Sequence, residues 1–127
     1  MIQTQTILKV ADNSGAKTVK CIGFVDTQKN AQIGNCIIVS VRSLSRRDGP
    51  SLKGSSIKKG QVFKALIIRT KKGIWNSKYG HKISFETNDV ILINNQGNLV
   101  GSRIFGPITR ELRVNARNVL SYADRIL

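Results

Sequence analysis

A chain with one histidine, two cysteines and seven carboxylates has little with which to run a reaction. His81 stands in "YGHKISF" beside Lys78 and Lys82, and an isolated histidine among lysines is more often a surface contact than a general base, which needs a positioned partner. Cys21 and Cys36 lie in the apolar runs "VKCIGFV" and "GNCIIVSV", where free cysteines behave as small hydrophobes. Their spacing is not that of a metal pair, and one histidine cannot complete a zinc site with them. A reducing compartment is expected. Glycine-rich phosphate loops of the P-loop or dinucleotide type are missing. The reading is therefore of a protein that is not an enzyme, with no cofactor and no metal.

What the chain has in quantity is positive charge. Twenty-one Lys and Arg stand against seven Asp and Glu, a net +14 with a pI near 10.5. Self-repulsion on that scale destabilises a compact state and points to a polyanionic partner; a mixed-sign surface would give solubility at less electrostatic cost. Nucleic acid is the first candidate and an anionic membrane the second. No apolar run approaches the ~20 residues that span a bilayer, and the basic residues are spread along the chain instead of lining one amphipathic helix. The start "MIQTQTILKV" has neither the basic head nor the apolar stretch of a signal peptide, and it lacks the Arg- and Ser-rich character of a mitochondrial presequence. No membrane partner is expected.

Three segments concentrate the charge. In "RTKKGIWNSKYGHK", Arg69, Lys71 and Lys72 leave one strand, Gly73 loosens the chain, and Lys78, His81 and Lys82 return on the next. This reads as a β-ribbon with a basic tip, suited to a groove lined by phosphates. Its two aromatics, Trp75 and Tyr79, leave two readings open: Trp75 stacks on an unpaired base, or it covers the barrel. The second segment is the loop 42–59, with Arg46, Arg47, Lys53, Lys58 and Lys59 among Gly, Ser and Pro; it is expected to move when free and to order on a polyanion. The third is a C-terminal stripe of Arg110, Arg113 and Arg117 at i, i+3 and i+7, preceded by Arg103; on a continuous helix these form one side, which is either a contact surface or a solvated face. Lys17, after the turn "DNSGAK", joins the candidates. With so few aromatics, contacts should run mostly to phosphates and sugars. Six to ten of them predict a loss of roughly 10³ to 10⁵ in affinity between 50 and 200 mM salt.

These residues need a scaffold, and 127 residues give one domain. Short β-branched runs alternate with Gly, Asn and Asp turns: "TILKVAD", "KTVKCIGFVDT", "NCIIVSVRSLS", "QVFKALIIRT", "KISFE", "NDVILIN" and "NLVGSRIF". The pattern is that of an all-β domain, and closure into a barrel removes its exposed edges. "ILINNQGNLVG" predicts a hairpin with Gly97 at positive φ. Towards the end the period changes: Leu112, Ala116, Val119, Leu120, Ala123 and Leu127 recur at helical spacing, with Asn115 and Asn118 leaving one helix or two short ones open.

The runs "MIQTQTILKVADNSGAK", "IKKGQVFKALIIRTKKG" and "RIFGPITREL", in that order, resemble the universal large-subunit ribosomal protein fourteen family over nearly the whole chain, with 65–95 its most diagnostic stretch. The resemblance implies a mainly β fold: a small five-stranded β-barrel over about 1–106, a projecting β-ribbon, and short C-terminal α-helices over about 107–127. It implies a structural constituent of the large ribosomal subunit that binds large-subunit rRNA and helps form bridges to small-subunit rRNA across the interface. Large-subunit ribosomal proteins three and nineteen and a ribosome-silencing factor are the implied protein partners. Within "GSRIFGPITREL", Ile104 and Phe105 would anchor the chain to the barrel, Gly106 and Pro107 would turn it into a helix, and Glu111 would sit at that helix's N-terminus. Arg103, Arg110 and Arg113 would face RNA or the subunit interface. Three features depart from the family pattern: Tyr79 in place of a small polar residue before the ribbon glycine, a longer loop at 43–56, and the ending "VNARNVLSYADRIL". The expected compartment is a bacterial cytoplasm or an organelle matrix, with the Ile- and Asn-rich composition and divergent ending favouring a mitochondrion. The alternative from another class is a free-standing basic nucleic-acid-binding barrel.

Overall fold

The computed structural model of the protein describes residues 2–25, 31–44, 57–76 and 78–127. Among these lie nine strands, β1 (Ile7–Val10), β2 (Ala16–Phe24), β3 (Cys36–Leu44), β4 (Val62–Arg69), β5 (Ile74–Asn76), β6 (His81–Ile83), β7 (Asp89–Ile93), β8 (Ile104–Ile108) and β9 (Ala123–Ile126). Five of them close a barrel in the order β1-β2-β3-β4-β7. The neighbours pair antiparallel except at the seam, where β1 and β7 run parallel through Lys9↔Asp89 and Val10↔Val90. The expected five-stranded barrel is thus what the chain forms.

The interior follows from the strand period of two. In β3, Ile37, Val39 and Val41 are buried while the alternate residues are at least partly open to solvent. The run 65–68 in β4 and Val90, Ile91 and Leu92 in β7 are buried without alternation, the pattern of strands covered on both faces. Ile104, Ile108, Leu112 and Val119, from the C-terminal stretch, belong to the same core. The predicted hairpin is present: Ile93 bridges Leu99, Gly97 has φ 85°, and the Asn94 side chain accepts from the amides of Gln96 and Asn98.

The turn in "DNSGAK" does more than reverse the chain. Asp12 is buried, its Oδ1 accepting from the Ser14 amide at 3.0 Å and its Oδ2 from the Leu92 amide at 3.1 Å. Burial pushes this carboxyl above its ordinary range, while the Ser14 and Leu92 donors work against the rise. Asn13 Oδ1 accepts from the amides of Ser102 and Arg103, at 2.8 and 3.1 Å. A Cβ on Gly101 would stand 2.8 Å from that same oxygen, so a larger residue there would press on the Asn13 side chain that holds these two amides.

After β8 comes a helix of one turn, α1 (Leu112–Asn115). Ala116, at φ −151° and ψ 67°, interrupts it before a 3-10 helix over Arg117–Tyr122. The short helices are there, and a strand follows them that the helical spacing did not announce: β9 pairs parallel with β8 through Ile104↔Ala123, Pro107↔Arg125 and Ile108↔Ile126. Nothing local in "ADRI" requires a strand; pairing to a segment far upstream overrides propensity.

Arg69, read from sequence as an RNA contact, is a correction. Its side chain points inward, 9 % exposed, with Nε donating to Asp89 Oδ2 at 2.6 Å and Nη1 donating to the carbonyls of Phe105 and Pro107 at 2.8 and 2.9 Å. A basic residue at the end of a strand looks like a surface charge unless its partners are known, and these lie 20 to 38 positions away. Removing one partner leaves a buried charge uncompensated, at a cost of about 3–5 kcal/mol. The expected outcome for Arg69→Met is a loss of that size in denaturant unfolding, with partial recovery in Arg69→Met/Asp89→Leu. A single-variant loss below about 1 kcal/mol would show that the pair holds nothing.

Candidate nucleic-acid interface

The basic ribbon is built by β5 and β6, paired through Ile74↔Ile83, Trp75↔Lys82 and Asn76↔His81. Its root is fixed by three contacts: the Gly73 amide donates to Thr70 Oγ1, the Lys71 amide to Asn88 Oδ1, and the Phe85 amide to the Thr70 carbonyl. Gly73 has φ 76°, and a Cβ there would fall 2.1 Å from the Ile83 carbonyl oxygen. Its role is therefore the close crossing of the two strands, which a side chain would block. At the tip, Asn76 Oδ1 accepts from the amides of Lys78 and Tyr79, and the Gly80 amide donates to the Asn76 carbonyl. Gly80 takes φ 68°, a left-handed position to which the bulky Tyr79 before it does not have to conform.

The other side-chain end of Asn76 donates to Glu111 Oε1 at 2.8 Å. Glu111 does occupy the position before α1, but its side chain does not cap that helix; it holds the ribbon. Lys71, Lys72, Lys78, His81 and Lys82 are all exposed around this frame. Trp75 is 62 % and Tyr79 64 % exposed, so neither covers the barrel, which removes one of the two sequence readings of Trp75. Lys78 Nζ lies 5.4 Å from the Tyr79 ring centre, and the His81 ring 6.0 Å from it.

Elsewhere, Lys17, Lys58 and Lys59 are exposed, whereas Arg46, Arg47 and Lys53 lie outside the described residues. Arg103 is exposed over the Phe105 ring at 5.6 Å, with Asp124 at 3.8 Å. Of the two expected anchors, Ile104 is buried and Phe105 is 45 % exposed, because alternation in β8 puts them on opposite faces. Pro107 sits inside β8 and not at a helix entry. Arg110, Arg113 and Arg117 are exposed, but the break at Ala116 separates Arg117 from α1, so the continuous helical stripe does not form.

Sequence reasoning passed over Lys9, Arg42, Lys64 and Arg125, which are exposed on strands. Alternation with buried neighbours such as Leu8 and Val41 was the signal that could have found them. Among the described residues the ion pairs are the buried Arg69–Asp89 and the exposed Arg103–Asp124. The remaining described cations therefore project an unneutralised field, which draws in polyanions and falls with ionic strength. No group of His, Cys, Asp and Glu among the described residues is placed to hold a metal.

A closed five-stranded barrel, a basic ribbon at its side and this distribution of charge coincide with a match over residues 1–127 to the family model of ribosomal protein L14p/L23e. The chain belongs to that family. It is accordingly a structural protein of the large ribosomal subunit, from a ribosomal protein family that is typically structural rather than catalytic. Within this L14p/L23e protein the ribbon depends on one glycine. Gly73→Ala is expected to loosen β5–β6, with at least about 1–3 kcal/mol of backbone strain added to the overlap with Ile83. Hydrogen exchange would show lost protection at the Phe85 amide while barrel amides such as Val39 keep theirs; unchanged protection at Phe85 would refute the account.

Proposed function

We propose that the protein binds large-subunit rRNA through its ribbon and neighbouring lysines, and reaches the small subunit's rRNA through Arg110, Arg113 and Arg117. The observation that carries this reading is exposure: every described candidate except Arg69 faces solvent, and among the described residues only Arg103 of these exposed candidates forms an ion pair. Fixed cations of this kind offset the repulsion between phosphate strands packed side by side, and they release condensed counterions on binding. Lysines act as point charges; the arginines offer planar forks that suit phosphates presented at defined angles. The rigid barrel gives these groups fixed separations, so recognition is of RNA shape more than of base sequence.

Lys17, Lys58, Lys59, Lys71, Lys72, Lys78, His81, Lys82 and Arg103 form the proposed rRNA surface, with Arg46, Arg47 and Lys53 expected to extend it. Large-subunit proteins three and nineteen and a ribosome-silencing factor are the proposed protein neighbours, in a bacterial or organellar ribosome, the mitochondrial one favoured by composition. Sedimentation of a lysate at high and low magnesium tests this. The protein is expected to stay with the large subunit when the subunits separate, and Arg110→Gln/Arg113→Gln to raise the share of free subunits at intermediate magnesium. Recovery at the top of the gradient under both conditions would replace this reading with the free-standing nucleic-acid-binding barrel.

A further inference from the structure

We propose that the outward face of the β5–β6 ribbon is a stacking platform for one unpaired RNA base, with Trp75 as the plane and Lys82 as the partner of the adjoining phosphate. The proposal rests on the RNA-binding reading above and adds to it a particular ligand: a base free of a duplex.

Register divides the ribbon into two faces. Ile74↔Ile83 and Asn76↔His81 share one, and that face is turned to the protein, since Ile74 packs against the core and Asn76 holds Glu111. Trp75 and Lys82, directly opposite each other, share the other. Tyr79 at the tip already has Lys78 and His81 against its ring. Among the described residues nothing engages the Trp75 indole in a ring, cation or hydrogen-bond contact, and it remains 62 % exposed. An indole is among the largest apolar surfaces a side chain offers, and it gains by being covered.

Charge selects the occupant. From Thr70 to Phe85 the sequence holds Lys71, Lys72, Lys78, His81 and Lys82 and no acid. A protein surface of ordinary mixed sign gains little from such a frame, whereas a nucleotide presents an aromatic plane and a negative charge a few ångströms apart. Paired bases keep their faces stacked within the helix, and the RNA major groove is too deep and narrow for side chains to enter. The base on Trp75 must therefore come from a loop, bulge or end. Because the ribbon is held at its root by Thr70 and Asn88 and near its tip by Glu111, the backbone that carries the plane needs little further ordering at binding.

Trp75 is the only tryptophan in the chain, so its emission reports on this face alone. The full-length protein would be titrated with an RNA hairpin carrying a purine loop and with a blunt duplex of the same stem sequence. The hairpin is expected to quench the emission and the duplex to leave it nearly unchanged. Trp75→Ala should weaken hairpin binding roughly five- to hundredfold with little effect on the duplex, and Trp75→Tyr should keep most of the affinity. Lys82→Gln should weaken both RNAs and flatten the salt dependence. Binding of both RNAs without quenching, and with Trp75→Ala unchanged, would overturn the platform while leaving general RNA binding in place. Binding of neither RNA would overturn both. Intact hairpin binding by Trp75→Ala, together with loss of a protein neighbour from assembled large subunits, would assign this face to a protein and overturn the proposal as well.

Discussion

The Arg69–Asp89 pair is the point on which the rest of the structure turns. Asp89 sits at the parallel seam where β7 meets β1, and Arg69 is the last residue of β4, two positions before the lysines that begin the ribbon. The same guanidinium holds the Phe105 and Pro107 carbonyls, fixing how β8 crosses the barrel. Thr87 Oγ1 donates to the Asp89 oxygen that accepts from Arg69, so the carboxylate is well supplied with donors. Gly106 completes the arrangement: it has φ 81°, and a Cβ would come within 2.6 Å of Arg69 Nη1. A buried ion pair is weak evidence for net stability because desolvation offsets much of the attraction. Its value here is geometric, since barrel closure, the ribbon's origin and the entry to the C-terminal stretch are all fixed by one planar fork.

Acidic residues are few, and the fold spends them on structure. Asp12 accepts from the backbone of its own turn and of β7, Asp89 pairs with Arg69, Glu111 holds Asn76, and Asp124 lies beside Arg103. Among the described residues this leaves Glu86 as the acid without such a contact. Had the same carboxylates been distributed over the surface, they would have relieved repulsion and weakened the field towards an anionic partner. The composition is thus consistent with a chain whose stability is balanced against its charge and whose ribosomal surroundings supply the missing counter-charge.

Much of this was legible in sequence because it is local. β-branched runs of five to nine residues between Gly and Asn turns give strands, and "NNQGN" gives its hairpin by the demands of Gly97 and the side chain of Asn94. The ribbon was legible for the same reason. What escaped depends on distant partners. Arg69 and an exposed lysine read alike until Asp89 and the β8 carbonyls are brought to it. The turn at Asp12 and Asn13 reads as a turn until residues 102–103 arrive to be bound, and β9 exists only because β8 offers it an edge. Phe105 misled for a subtler reason: adjacent apolar residues suggest one anchor, but a strand sends them to opposite sides.

The stretch "GSRIFGPITREL" shows how these constraints serve a ribonucleoprotein. Asn13 holds its start, Arg69 its middle, and Glu111 near its end reaches back to Asn76 on the ribbon. The surface proposed for large-subunit rRNA and the arginines proposed for the subunit interface are therefore tied to each other and to the barrel by these hydrogen bonds. Each surface taken alone could be supplied by a flexible basic peptide, which would pay the entropy of ordering when it bound. A protein that fixes two RNA surfaces at a set separation cannot use such a peptide, because the distance between them is the information it contributes. On the proposed reading, the buried pair, the close-packed glycines and the carboxylate that ties ribbon to helix all serve that distance, and the exposed cations supply the adhesion.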